Sequence, residues 1–233
     1  MTIGKMGARP LVKSWTARDY VQDGLIAMWD GIENAGWGTH DANAQYWTDL
    51  MRPNSVDKLS ASGSWGNDYL SLTVSSTLPG TYFADASPTN HTFEFCFSIP
   101  EVKQSEGYIL CWHSAGSGPF SINTAWGYLR FTGGGTGDYG NDNASYNLKP
   151  YLGSRFNGQF SVLFTLDQLY AFGEIARQDF PVAASTSTAH RFVIASAGQG
   201  IIEYNSIRIY NRSLTADEIA HNYAVDKLRF NLP

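Results

Sequence analysis

Cysteine is scarce in this chain: Cys96 and Cys111 are the only two among 233 residues. Both sit inside apolar segments, which excludes the dense disulfide framework of small secreted domains. Two buried thiols are the favoured reading, and a bond between adjacent paired strands is the alternative. Charge is scarce as well, at 16% of residues, and the net charge of −5 is dispersed, with no run of Lys or Arg that could follow a phosphate backbone. Nucleic acid is therefore not an expected partner. No apolar run approaches the roughly 18 residues that a membrane span needs, and the first ten residues carry no hydrophobic segment of signal-peptide type. The expectation is a soluble chain that is not exported by that route.

Recognisable catalytic sets are missing too. A retaining glycosidase needs two carboxylates about 5 Å apart, usually from alternate residues of one strand, yet Glu94, Glu174 and Glu203 each stand alone. They are expected to be solvated or singly hydrogen-bonded surface carboxylates. The histidines at 40, 91, 113, 190 and 221 have no zinc-type spacing, and no Gly-x-Ser-x-Gly elbow marks a nucleophile. Gly135-Thr-Gly-Asp-Tyr-Gly140 matches a dinucleotide-binding pattern, but it does not open a helix, so nucleotide binding is rejected. A site assembled from distant strands stays open, so enzymatic activity is undecided, with the non-catalytic reading preferred.

What the chain does have is aromatic residues, 14% of the total, and 23 glycines, the mixture that suits short strands joined by tight turns. Phe93, Phe95, Phe97 and Ile99 share one face of the segment from His91 to Ile99, and Thr92, Glu94, Cys96 and Ser98 share the other. Similar short runs lie at 24–29, 69–74, 108–112, 128–132, 160–166, 169–172, 191–195 and 202–210. No strand–helix–strand rhythm and no internal repeat appears. The fold expected is all-β: a two-sheet antiparallel β-sandwich with a short C-terminal α-helix. Thr215 and Glu218 have capping-box spacing, and Leu214 and Ile219 sit at the staple positions. Ile219, Ala220, Tyr223, Ala224 and Leu228 are expected to form the buried stripe of that helix, leaving Asp217, Asn222 and Asp226 to solvent. Residues 1–22, polar and without a period, read as an N-terminal arm outside a single domain spanning 23–233.

Asp23-Gly-Leu-Ile-Ala-Met-Trp-Asp30 and Ile207-Arg-Ile-Tyr-Asn-Arg-Ser-Leu-Thr-Ala-Asp-Glu-Ile219 resemble the opening and closing segments of the laminin-G-like branch of the concanavalin A-like jelly rolls. Trp47-Thr-Asp-Leu50 is similar to the segment that follows the first strand there. The resemblance implies two curved sheets whose concave face or rim loops bind glycans or proteins, sometimes with calcium. It does not imply catalysis, because one fold hosts many functions. The loop Met51-Arg-Pro-Asn-Ser-Val-Asp57 departs from the Ser-Gly-Asn-Gly-Asn pattern often found at that rim. Similar closing segments are familiar in gut-bacterial surface proteins and phage structural proteins, and the missing leader favours a virion component.

Two long loops, 30–54 and 133–146, are the expected rim. Trp37, Trp47, Trp65, Trp126 and Tyr139 lie in loops or at strand ends, where their rings could stack against sugar C–H faces or pack beneath the loops instead. Trp29 and Trp112 are expected in the core. Asp138, Asn141, Asp142 and Asn143 supply hard oxygen donors of the kind calcium takes, although Gly, Asn and Asp also crowd solvated turns for backbone reasons. The functional expectation is a non-catalytic module that binds glycan or protein at a cell or virion surface. Its alternatives are a structural decoration or fibre subunit tethered by residues 1–22, and a glycoside hydrolase or polysaccharide lyase with a scattered site.

Overall fold

In the computed structural model the chain is described over residues 14–72, 76–78, 91–104, 107–114, 117–125, 128–133, 144–163, 168–177, 191–194 and 200–233. Strands follow one another as β1 (Leu25–Asp30), β2 (Tyr46–Trp47), β3 (Leu59–Ser60), β4 (Gly63–Trp65), β5 (Leu70–Leu72), β6 (Ser76–Leu78), β7 (Thr92–Ile99) and β8 (Gly107–Ser114). They continue as β9 (Ser117–Ala125), β10 (Tyr128–Gly133), β11 (Ala144–Asn147), β12 (Phe156–Leu163), β13 (Gln168–Ala171), β14 (Glu174–Arg177), β15 (Arg191–Ile194) and β16 (Ile202–Tyr210). Helix α1 (Ala216–Phe230) closes the chain.

One sheet runs β14-β13-β12-β7-β16-β5-β4, with β1 also paired to β16, and the other runs β11-β10-β9-β8-β15-β6. A short β2–β3 pair stands apart. Every pairing between named strands is antiparallel, which makes the molecule the two-layer sandwich expected from its alternating segments. No helix among the described residues is long and apolar enough to cross a membrane.

The inner layer follows from the phenylalanine alternation in β7. Phe93, Phe95, Phe97 and Ile99 all point into the core, and on β12 they face Val162, Phe160, Gly158 and Phe156. Phe95, Phe97 and Phe160 stack at centroid separations of 6.0–6.3 Å. Gly158 makes this possible, because a Cβ there would lie 2.6 Å from the Phe156 ring and 2.8 Å from the Phe160 ring. Tyr204 crosses the core and donates its hydroxyl to the carbonyl of Ile109 on the opposite sheet. Trp29 is in the core, as expected. Cys96 is a buried free thiol on the first sheet, while Cys111 lies on β8 of the second.

The helix start is as the sequence indicates: Thr215 and Glu218 form the reciprocal capping box, and Leu214 and Ile219 are both buried in one cluster. Its buried face is not the one expected. Asn222 and Asp226 are buried with Ile219, Val225 and Phe230, whereas Ala220, Ala224 and Leu228 face solvent. The reason lies beneath the helix, because the outer face of the first sheet carries Glu94 and Arg208, both with no exposed surface. Arg208 binds Glu94 through Nε at 3.0 Å and Asp226 through Nη1 and Nη2 at 2.8 and 2.6 Å. Glu94 also accepts from Ser161 and Asn222, so it is not the surface carboxylate expected of it. A polar sheet face demands polar helix residues, since buried charges must be paired.

Residues 14–22, part of the segment set apart as an arm, lie along this helix as a strap. Tyr20 donates to Asp226 at 2.7 Å with the Arg208 guanidinium 4.0 Å above its ring. The Val21 amide donates to Asn222, and Arg229 donates to the Trp15 carbonyl. Residues 1–13 lie outside the described part of the chain.

Candidate functional site

The loop after β1 is built by side chains that hold backbone amides. Asp30 Oδ1 accepts from the amides of Ile32 and Glu33 at 2.9 and 3.0 Å, an Asx-type turn that redirects the chain out of the strand. Asn34 and Asp41 exchange side-chain and backbone hydrogen bonds at 2.8 and 2.7 Å, closing the segment between them. Glu33 takes the Gly38 amide on one carboxylate oxygen and the Ala17 amide on the other, both at 2.7 Å, so loop and strap share one anchor. Gly36 and Gly38 have φ of +136° and +68°, conformations that side chains rarely adopt, and Trp37 sits between them at the tip. Its half-buried ring lies 4.2 Å from the Arg18 guanidinium carbon. Asp49, further along, takes the amides of Met28 and Met51. The carboxylates of Asp30, Glu33 and Asp49 thus hold the rim in shape.

Burial perturbs Asp30 further. Its carboxyl is pushed above the usual carboxylate range by burial, against the opposing pull of Arg229 at 2.7 Å. Asp68 is also raised, by burial and then by the negative charge of Glu203, with Arg155 acting against both. Glu203 itself is bound by the Arg155 guanidinium at 2.5 Å. Asp68 therefore senses Glu203, and Glu203 is paired with an arginine.

The structure separates the expected aromatic residues. Trp47 has no exposed surface; its indole N–H donates to the Asp30 carbonyl at 3.0 Å, so it is a packing residue and offers no face to a ligand. The cause is strand alternation, which turns Trp47 inward and Tyr46 outward. Trp65 is partly buried, edge-on to Trp47 at 5.7 Å, and donates to the Ala44 carbonyl at 2.8 Å. Trp37 and Trp65 are thus each partly buried, Trp37 packed against the cluster that holds the strap and Trp65 against the main core. Trp126, Tyr139, Asp138, Asn141, Asp142 and Asn143 lie outside the described residues. Among the described residues no group of three or more His, Cys, Asp or Glu side chains is placed to hold a metal ion.

Outside Trp47, at the edge carrying the β2–β3 pair, lies a shallow dent with a cavity volume of only about 10 Å³, bordered by Asp49, Arg52, Asp57 and Lys58 among others. That is below the roughly 300–1,000 Å³ of small-molecule sites, so this edge offers a surface rather than an enclosing pocket. Tyr46, 47% exposed, stands next to it with Lys58 Nζ 5.6 Å from its ring centre. Sequence reasoning passed over both. The signal was the Tyr46-Trp47 pair itself, because two adjacent aromatics in a strand face opposite ways.

No family model matches the chain, and no curated protein matches it by sequence. Solved structures match it by shape. A Trypanosoma rangeli sialidase in complex with sialic acid superposes with a TM-score of 0.60 at 14% identity, over 88% of this chain and 33% of that one. The receptor-binding domain of botulinum neurotoxin C/D mosaic serotype superposes with a TM-score of 0.59 at 11% identity, over 88% of this chain and 52% of that one. The chain thus spans about a third to a half of the solved chains it is similar to. At such identities the likeness establishes the β-sandwich fold.

Proposed function

We propose that the chain is a non-catalytic binding module of the laminin-G-like kind, which takes a glycan or a surface protein through its partly exposed tryptophans, Trp37 foremost and Trp65 with it. The observation that carries this reading is the fixing of Trp37: its ring is presented between two positive-φ glycines on a loop whose turns are closed by Asp30, Glu33 and Asn34. An aromatic side chain held this rigidly loses little freedom when a ligand stacks on it, and that favours binding. Display on a bacterial cell or phage virion surface belongs to the same reading. The test is a glycan array with the intact chain and its Trp37→Ala variant. Binding at or below millimolar Kd that Trp37→Ala abolishes without changing the melting temperature supports the module, and a blank array from a well-folded chain refutes its glycan form.

The docked strap favours a second reading, a structural subunit whose residues 1–13 tether it to a neighbour. Residues 14–22 fasten the segment against α1 and thereby fix where the chain before them departs. Light scattering of a chain lacking residues 1–13 tests this, because an unchanged assembly state would end the tethering role.

A further inference from the structure

We infer that the solvent face of the β2–β3 pair is a subsite for an acidic sugar unit, one carrying a carboxylate or a sulfate ester. The inference deepens the glycan-binding reading above and rests on it. The register places Tyr46 opposite Ser60, with Trp47 and Leu59 turned into the core. Alternation then brings Lys58, Ser60 and Ser62 to the same side as Tyr46, and two contacts bear it out. Lys58 Nζ lies 5.6 Å from the centre of the Tyr46 ring, and the Ser60 and Ser62 hydroxyls are 2.9 Å apart on the exposed side.

Three chemistries therefore meet on one small face. The Tyr46 ring, 47% exposed, offers an apolar surface to the C–H face of a pyranose. The paired serine hydroxyls can both donate to and accept from sugar hydroxyls. The Lys58 ammonium is exposed and forms no ion pair with any carboxylate among the described residues, which leaves its charge available to a ligand. A neutral sugar would use the ring and the hydroxyls and leave the cation idle; an acidic one uses all three. The backing is rigid, because Trp47 and Trp65 pack edge to face behind the pair and the Ser60 carbonyl is held by the Ser76 hydroxyl at 2.6 Å. The dispersed net charge of −5 makes this local cation a selective feature rather than part of a general attraction for polyanions.

The experiment is calorimetric titration of the intact chain with a galacturonate trimer, a chondroitin 4-sulfate tetrasaccharide and neutral maltotetraose, alone and with Lys58→Gln, Lys58→Glu, Tyr46→Ala and Trp37→Ala variants. Melting curves accompany each variant. The expected result is that one acidic probe binds more tightly than maltotetraose, and the probe that does so separates the carboxylate from the sulfate source. Lys58→Gln should weaken that binding by about two- to fivefold, in line with an exposed ion pair, and Lys58→Glu more strongly. Tyr46→Ala should weaken it by about tenfold. Maltotetraose bound as tightly as the acidic probes, or acidic binding indifferent to both Lys58 variants, overturns the subsite. If Trp37→Ala still abolishes binding in that case, the broader glycan reading survives; no binding of any probe overturns the subsite together with that reading.

Discussion

Arg208 and Asp226 meet fork on fork beneath the C-terminal helix, two guanidinium nitrogens against two carboxylate oxygens, with water excluded from both side chains. Burial alone would lower the arginine's proton affinity, but the negative charges of Asp226 and Glu94 more than reverse this. Taking away one member of such a group strands the others in a dry environment. Arg208→Met is therefore expected to cost about 3–5 kcal/mol. Replacing Glu94, Arg208 and Asp226 together by apolar residues of similar volume should cost much less. Urea unfolding measures both, and a loss below about 1 kcal/mol for the single variant would contradict the burial of the charges.

Acid sensitivity should have two opposing sources. Arg212, bound to Glu218 at 2.6 Å, together with the Thr215 cap, holds the Glu218 carboxyl down to about 2 against its partial burial. A depressed folded value means the unfolded chain takes up the proton first. Stability from this group is thus complete above the ordinary carboxylate range and is lost as pH falls toward about 2. Glu94 works the other way, because burial raises its carboxyl. Its contribution is complete below the ordinary range and is lost as pH climbs through the raised value. Unfolding free energies between pH 2 and 7 for the unaltered chain and Glu218→Gln should converge toward the acid end; curves that stay parallel would refute the assignment.

Gly31 is where the rim loop leaves β1, and a methyl group there would lie 2.3 Å from the backbone oxygen of Asp68. Backbone cannot swing aside as a side-chain tip can. Gly31→Ala should destabilise the fold by about 1–3 kcal/mol and displace the 66–69 turn. A calorimetric melt within one degree of the unaltered chain would mean that the approach is looser than described.

The strap yields a contrast between two truncations. Removing residues 1–13 should leave the melting temperature unchanged within error, because the bonds from Tyr20 to Asp226, from the Val21 amide to Asn222 and from Arg229 to the Trp15 carbonyl all stay in place. Removing residues 1–22 uncovers Asp226 and Asn222 and deletes the Tyr20 donor, so the same melt should fall by several degrees, each lost buried hydrogen bond costing about 1–3 kcal/mol. Equal melting temperatures would show that residues 14–22 contribute nothing to the fold.

The sandwich was legible because its inner faces obey a period of two that simple counting finds, most plainly at Phe93, Phe95, Phe97 and Ile99. Helix capping was legible for a similar reason, since Thr215 and Glu218 act within four residues of each other. What sequence could not give was anything decided by a distant partner. Asn222 and Asp226 look like solvent-facing residues until Arg208 is placed underneath them. Strand β9 went unseen because Gly118 and Pro119 suggest a turn; Pro119 lies where the β8–β9 register shifts, a place that tolerates a missing donor. Of the candidate site, the aromatic residues were visible as a set, but which of them face outward depended on pairings such as Tyr46 with Ser60.

The strap also bears on how the molecule would carry load. Tension entering at residue 14 reaches the Arg229–Trp15, Tyr20–Asp226 and Val21–Asn222 contacts before it reaches any strand. Because these contacts are spread along one helix that is itself riveted to the sheet through Arg208, they resist in shear, sharing the pull rather than opening one at a time. A module gripped from that side would also load the Ala17–Glu33 bond, and with it the rim loop, before any strand felt the pull.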